Sequence, residues 1–487
     1  MRGERSGEIL LPLTPSPRTS DLQIMNFLTK EDVKNSFYDG MFANMFTTLT
    51  GGMFLTGFAI YLGMNESLIG VVAAMPFIVT VFQLPVSYLI EKRGRRKRMV
   101  LWGAGIARMT WLLILTAAML PVSSPTIRYL LIVGLIFISY AFLSAGNVAW
   151  LSWTSELIPD EILGNFFGTR NMLCALAGLI ATVIFGNLLD FMKNYFREDQ
   201  SAAFGVIFVS AVVFGVMSLY FLNRVSEPRR CAVTTDNRSF RKLMELPLKI
   251  PNFRNFLLFV FLWNFSVYFA TPFFILYWLR DLQFSYSMVA ILGMLSSFAD
   301  IAGMKFWGVI SDKVGNKAVI RVTACGVVLL PLIWVWVEPD NIILPILLHI
   351  GGGGVWAGVT LCTGNLMLRI SPRDNRSFFL SLYNIAGGFG AAAAPILSGL
   401  ALSYLIPPDI HILSGTFIPL HIVFLLSALM RLGSLFFLRY VREPGESSLG
   451  ETIRVLRKVR VMNMSKGFSH ILHPFMEISK YMSQRNN

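Results

Sequence analysis

The chain has 487 residues, of which 54% are hydrophobic and 14% charged, and its net charge is +14. A soluble chain carries about 25% charged residues, so this composition excludes a water-soluble globule and points to a chain held mostly in a bilayer. The positive excess falls in gaps on one side of the apolar runs, so membrane topology explains it and nucleic-acid binding does not.

Residues 1–36 are polar, with Pro12, Pro15 and Pro17, and have no signal-peptide pattern. They read as a cytoplasmic tail with helical character near Thr29–Lys34. Twelve apolar runs follow, each near the ~20 residues that cross a bilayer. The first six cover 37–62, 68–90, 98–120, 128–151, 171–191 and 203–223. The second six cover 256–279, 287–310, 319–337, 342–368, 378–404 and 418–438. Each is expected to be helical, because lipid offers backbone groups no partners. Lys and Arg outnumber their counterparts in the opposite gaps by about five to one in the gaps after spans two, four, six, eight and ten, which places both termini in the cytoplasm. The opposite gaps hold only Arg128, Lys193, Arg197 and Arg280.

The longest gap, 224–255, is basic and carries Pro228, Pro247 and Pro251. It divides the chain into bundles over 37–223 and 256–440, followed by a basic tail over 441–487. Internal repetition supports the division. Span six ends Phe221-Leu-Asn-Arg-Val225-Ser-Glu227-Pro228, and span twelve ends Phe437-Leu-Arg-Tyr-Val441-Arg-Glu443-Pro444. Asn171 and Gly186 in span five match Asn384 and Gly399 in span eleven at the same spacing. The tail is partly amphipathic at Ile453–Arg460, which suits either an anionic leaflet or a solvated helix. Four distant cysteines, at 174, 231, 325 and 362, and five scattered histidines suggest neither a disulfide framework nor a metal site. No cofactor is implied.

Two short gaps carry a shared pattern. Ser87-Tyr-Leu-Ile-Glu91-Lys92-Arg93-Gly94-Arg95-Arg96 follows span two, and Gly308-Val-Ile-Ser311-Asp312-Lys313-Val-Gly315-Asn316-Lys317 follows span eight. Aligned on Gly94 and Gly315, both read small-x-apolar-x-acid-Lys-x-Gly-x-basic. This resembles the loop signature of the major facilitator superfamily, and the likeness extends over about residues 37–445. The resemblance implies an all-α membrane protein of twelve transmembrane helices in two pseudo-symmetric six-helix bundles, with a substrate site between them. It also implies that Glu91 and Asp312 are the acids of a cytoplasmic gate, with Lys92, Arg95, Arg96, Lys313 and Lys317 as basic partners. Ser87 in place of the first glycine, and Glu91 in place of aspartate, depart from the pattern. Span four lacks the arginine of many proton-coupled members, and span five lacks the Gly-Pro pair of drug antiporters. Stretches such as Lys34-Asn-Ser-Phe-Tyr-Asp39-Gly40 and Trp150-Leu-Ser-Trp153 resemble a bacterial branch whose membership implies no particular substrate. That branch would place the protein in a bacterial inner membrane.

Ionisable residues within spans are costly and therefore functional candidates. Asp300 shares a small, polar face with Gly293, Ser296, Ser297 and Met304. It reads either as a proton or cation site or as a structural partner of Lys305 or Arg321. Asp39 opens span one below Asn44, where the helix dipole alone would favour an acid. Arg108 and Arg431 lie on peripheral helices and read as paired or snorkelling. His349, ahead of Gly351–Gly354, reads as an interior histidine beside a flexible, cavity-lining stretch. Spans one, four, seven and ten would line the cavity with Asn44, Asn147, Trp150, Asn264, Tyr268 and Asn365, while Trp153 reads as an interface anchor. The expectation is a transporter of a small polar organic solute working by alternating access, with proton coupling as a candidate, and no enzyme. A monomer without nucleic-acid partners fits it. An uncoupled uniporter or exporter and a non-transporting sensor of the same fold remain open.

Overall fold

The computed structural model describes residues 29–83, 96–120, 124–195, 200–227, 247–372, 376–407 and 418–458, and all regular structure among them is helical. Among the described residues ten helices are long and apolar enough to cross a membrane, Glu66–Phe82 is a shorter apolar helix, and the successive helices Lys30–Leu49 and Gly52–Tyr61 cover the first expected span.

The first half comprises α1 (Lys30–Leu49, resumed as Gly52–Tyr61), α2 (Glu66–Ile78, with a tight turn Val79–Phe82), α3 (Arg96–Met119), α4 (Pro125–Leu157), α5 (Asp160–Tyr195) and α6 (Ser201–Arg224). The second comprises α7 (Pro251–Tyr268, resumed as Thr271–Leu276 and a wide turn Tyr277–Asp281) and α8 (Tyr286–Val314). It continues with α9 (Asn316–Trp334), α10 (Ile343–Ile370), α11 (Arg376–Leu400, with a wide turn Ala401–Leu405) and α12 (Pro419–Leu438).

Local chemistry explains where the first helices of the two halves start and break. Thr29 and Asp32 form a reciprocal capping box, each side chain accepting the other's backbone N–H at 3.0 Å. That cap starts α1 at Lys30, ahead of the apolar run. It also corrects the expectation for Asp39, which lies well inside the helix, where the terminal dipole no longer acts. In α1 the break falls at Thr50-Gly51, and Gly52 takes φ +49°, which a side chain would resist. In α7 the first segment ends at Tyr268, four residues before Pro272, whose ring excludes the carbonyl of residue i−4.

The packing repeats between halves. In the first, α1 packs on α5 and α6, and α3 on α4 and α6; in the second, α7 packs on α11 and α12, and α9 on α10 and α12. The two principal contacts between halves, α2 with α11 and α5 with α8, exchange under the same relation. Small residues permit the closest approaches. A Cβ on Gly70 would meet the Pro395 carbonyl oxygen at 2.2 Å, and one on Gly353 would meet that of Ser296 at 2.2 Å. Thus Gly353 in the glycine run of α10 serves as a packing seam against α8 and not as a flexible stretch.

The start of α1, the described ends of the even-numbered helices and the starts of the odd-numbered ones share one side, here the terminal side; the other is the far side. Buried apolar residues divide unevenly between them. One cluster runs through both halves toward the far side, from Phe58, Phe204 and Phe208 to Phe273, Tyr286 and Phe424. Toward the terminal side each half has its own cluster, around Trp153 and Phe166 in the first and Phe253 and Phe379 in the second. Polar contacts between halves follow the same pattern. Ser403 accepts the Ser67 N–H at 3.0 Å, Glu66 pairs with Arg280 at 2.6 Å, and Asp190 accepts the N–H groups of Tyr286 and Ser287 at 2.9 and 2.7 Å. All lie on the far side. Among the described residues, then, the shared apolar cluster and these polar contacts join the halves on the far side, while the terminal-side clusters each belong to one half.

A thirteenth helix, α13 (Leu449–Lys458), follows the bundle. Ser447 donates its N–H to Val314 at the end of α8, and Val455 packs against the second-half core, so this part of the tail docks on protein. Ser448 caps α13, and its hydrogen bonds hold the Glu451 carboxyl below its ordinary range. Residues 228–246 of the linker and 459–487 of the tail lie outside the described residues.

Candidate functional site

A cavity of about 660 Å³ lies within the second half and draws on α7 to α12. Asn264, Tyr268 and His349 line it, as the sequence led one to expect. Asn264 lies on the α7 segment that precedes the break and Tyr268 closes it, so the broken helix shapes the cavity wall. Indole rings dominate elsewhere: Trp278 and Trp334 stand 5.0 and 5.6 Å from the His349 ring, and Trp263 meets Trp356 edge-on at 6.2 Å. Because a carbonyl only accepts, the 2.9 Å contact from His349 Nδ1 to Pro345 O places a proton on Nδ1 and leaves Nε2 free to accept. Arg431 of α12 also reaches this wall. It is 2% exposed, and its Nη1 donates to Val327 O at 2.9 Å, while Nε has no partner. It therefore neither snorkels nor pairs with an acid among the described residues.

A second cavity of about 290 Å³ sits in the first half, between α1, α3, α4, α5 and α6. Asp39, Asn44, Asn147 and Trp150 line it together with Arg108 and Arg170. Asp39 is buried. Ser218 of α6 donates to its Oδ1 at 2.5 Å, Arg170 of α5 approaches its Oδ2 at 3.4 Å, and Arg108 of α3 donates to the Ser218 hydroxyl at 2.8 Å. One carboxylate thus gathers four helices. Arg170 lies 4.2 Å from the Trp150 ring centre, a cation–π contact that covers the ring. Asn44 donates to the Cys174 carbonyl at 2.6 Å. Trp153 is buried in the terminal-side core and donates to Ser226 O at 3.0 Å, so it anchors protein rather than an interface.

Two expected residues lie outside both cavities. Asp300 is half-buried on α8, one turn beyond Ser296, which lines the larger cavity. Among the described residues it has no ion pair or hydrogen bond, since Arg321 turns to Glu446 at 3.5 Å. Asn365 is half-buried on α10 and lines neither cavity.

A model of the Major Facilitator Superfamily matches residues 40–367. The chain belongs to the major facilitator superfamily. Solved transporters share its fold. The nucleoside transporter NupG is 15% identical with TM-score 0.63, the match covering 85% of this chain and 98% of that one. The xylose transporter XylE from E. coli, inward open, is 14% identical with TM-score 0.59, covering 87% and 98%. A bacterial homolog of the human lysosomal transporter Spinster, inward-facing and occupied, is 12% identical with TM-score 0.58, covering 91% and 98%. At these identities the likeness is one of fold alone. No curated protein matches the sequence. Membership of the superfamily makes the protein a multi-pass membrane transporter of a small molecule.

The gating motif of this superfamily member is only partly within view. Ser87, Glu91, Lys92, Gly94 and Arg95 lie outside the described residues. Arg96 is buried, pairs with Glu156 of α4 and donates to Ser152 O at 3.3 Å. In the second copy Gly308 lies within α8, Ser311 is buried, and Asp312 and Lys313 are exposed; Asp312 has no ion-pair partner among the described residues. Gly315 takes φ +89° at the turn into α9, and a Cβ there would come within 3.3 Å of the Glu443 carboxylate. That carboxylate is the hub. It accepts the Asn316 and Lys317 N–H groups at 3.1 and 2.7 Å, Asn316 Nδ2 at 2.9 Å and Arg369 Nη1 at 2.9 Å, capping α9 where the helix dipole favours an anion. Lys317 itself pairs with Glu446 at 2.9 Å. The repeat-equivalent Glu227 accepts the Lys97 N–H of α3 at 3.0 Å. The duplicated Val-x-Glu-Pro sequence was visible in the chain; that each copy caps a helix three spans earlier was not.

Proposed function

We propose that the protein moves a small polar organic solute by alternating access, with the two halves rocking about a path between them and the terminal side facing the cytoplasm. The observation that carries this reading is the division of the apolar core: one cluster through both halves on the far side, and a separate one for each half on the terminal side. In this reading the halves turn as rigid bodies, so that closing the terminal side is followed by opening of the far side. The exposed Asp312 belongs to this account as a latch that is released while the terminal side is open.

Coupling is assigned to Asp300. The Asp39 oxygens are committed to Ser218 and Arg170, whereas those of Asp300 are unpartnered among the described residues and open to a proton. Asp300→Asn should remove the pH dependence of uptake and leave folding intact; unchanged pH dependence would return the protein to an uncoupled uniporter.

The rocking itself is tested across the far side, where Ser67 and Ser403 are in hydrogen-bond contact. In a background with the native cysteines replaced, cysteines at both positions should crosslink on mild oxidation. Flux into proteoliposomes of the solute that best stabilises the purified protein should then stop and return on reduction. Undiminished flux through the crosslinked protein would rule out rocking. Binding of that solute without any flux would identify a sensor.

A further inference from the structure

We propose that the second-half cavity takes an organic monoanion: an acidic group facing Arg431 on a flat, apolar or aromatic body held between indole rings. This rests on the transport reading and goes beyond it, since it places a ligand inside the second half.

Three observations converge. The first is charge. Arg431 lines the cavity at 2% exposure, and among the described residues it donates to the Val327 carbonyl while its Nε is unpaired. A buried guanidinium without a counter-anion costs several kcal/mol, and no Asp or Glu lines this cavity. In the first half the comparable guanidinium, Arg108, reaches a carboxylate through Ser218. The second half holds the cation and lacks the acid, so the missing charge is the ligand's to supply.

The second is hydrogen bonding. Trp278 Nε1 and Thr363 Oγ1, both in the lining, are buried without partners. Buried polar groups are nearly always satisfied, and an indole N–H can only donate. Trp278 and the arginine are donors that suit a carboxylate, sulfonate or phosphate monoester, whereas Thr363 lies about 21 Å along α10 from His349, the ring that Trp278 packs on, and belongs to the other end of the cavity.

The third is shape. About 660 Å³ falls in the range of pockets that enclose small ligands. Tyr268, Trp278, Trp334 and Trp356 supply ring faces for a planar body. An organic cation would suit the rings but would be opposed by Arg431.

Three probes of one shape separate these cases: indole-3-acetate, its neutral amide indole-3-acetamide, and cationic tryptamine. Tryptophan fluorescence quenching and thermal shift on the purified full-length protein would read their binding. The acetate should bind at least about tenfold more tightly than the amide, the scale of one charge-assisted hydrogen bond, and tryptamine least. Arg431→Gln should erase the difference between acetate and amide. Should that variant fail to fold, Trp278→Phe, which removes a donor and keeps an aromatic ring, should weaken the acetate more than the amide. Equal binding of acetate and amide, preference for tryptamine, or binding of none of the three overturns the proposal. Those results leave the transport reading standing on the crosslinking experiment. Binding of the acetate together with flux indifferent to the crosslink would do the reverse.

Discussion

Glu443 offers the most direct test of the link between sequence repeat and structure. Its side chain is fully buried and accepts two backbone N–H groups at the start of α9, the Asn316 amide and Arg369. Glu443→Gln keeps the shape, removes the charge and turns an N–H toward donors. Each of the two buried N–H groups then loses a charged acceptor, worth about 1.5 kcal/mol at the low end of the range for such bonds. Arg369 is 46% exposed and adds little. The sum is about 3 kcal/mol, or about 6–12 °C in Tm at about 2–4 °C per kcal/mol for a bundle of this size. The matched Glu227→Gln acts on an exposed carboxylate with one N–H partner, so it should cost below about 1 kcal/mol. Thermal unfolding of both variants in one detergent is the assay. Equal losses would refute the argument that burial, and not the shared motif, sets the value of the cap.

The remaining predictions concern the interface and the first-half cluster. Gly70→Val places a side chain against the Pro395 backbone, which cannot swing aside, so the far-side contact should loosen by about 1–3 kcal/mol. Thiol labelling at position 67 from the far side should rise accordingly, and unchanged labelling would show that the seam does not hold the halves. Asp39→Ala leaves Arg170 and Arg108 buried without their acid and should cost about 3–5 kcal/mol, read as lost expression or Tm. Asp300→Asn, at a group with no partner to strand, should leave Tm nearly unchanged. The two variants behaving alike would contradict the pairing described here.

The amino-acid sequence by itself determined the twelve spans, their helical state, the division into two halves and the family. Each of these follows from solvent: a bilayer demands runs of apolar residues and closed backbone hydrogen bonding, and both requirements are written locally. The matching loops around Gly94 and Gly315, and the Val-x-Glu-Pro pair, were equally legible because they are contiguous. What only the tertiary structure decided was which polar residues meet. Asp39 is joined to Ser218 and Arg170 from helices more than a hundred residues away, and Arg431, expected on a peripheral helix to pair or snorkel, faces a cavity with no acid. Such encounters depend on how helices rotate and pack, which hydrophobic periodicity leaves open when every face of a span is apolar. The division of the core into one shared far-side cluster and two separate terminal-side ones is likewise a property of the assembled bundles, because it is made by contacts between residues far apart in the chain.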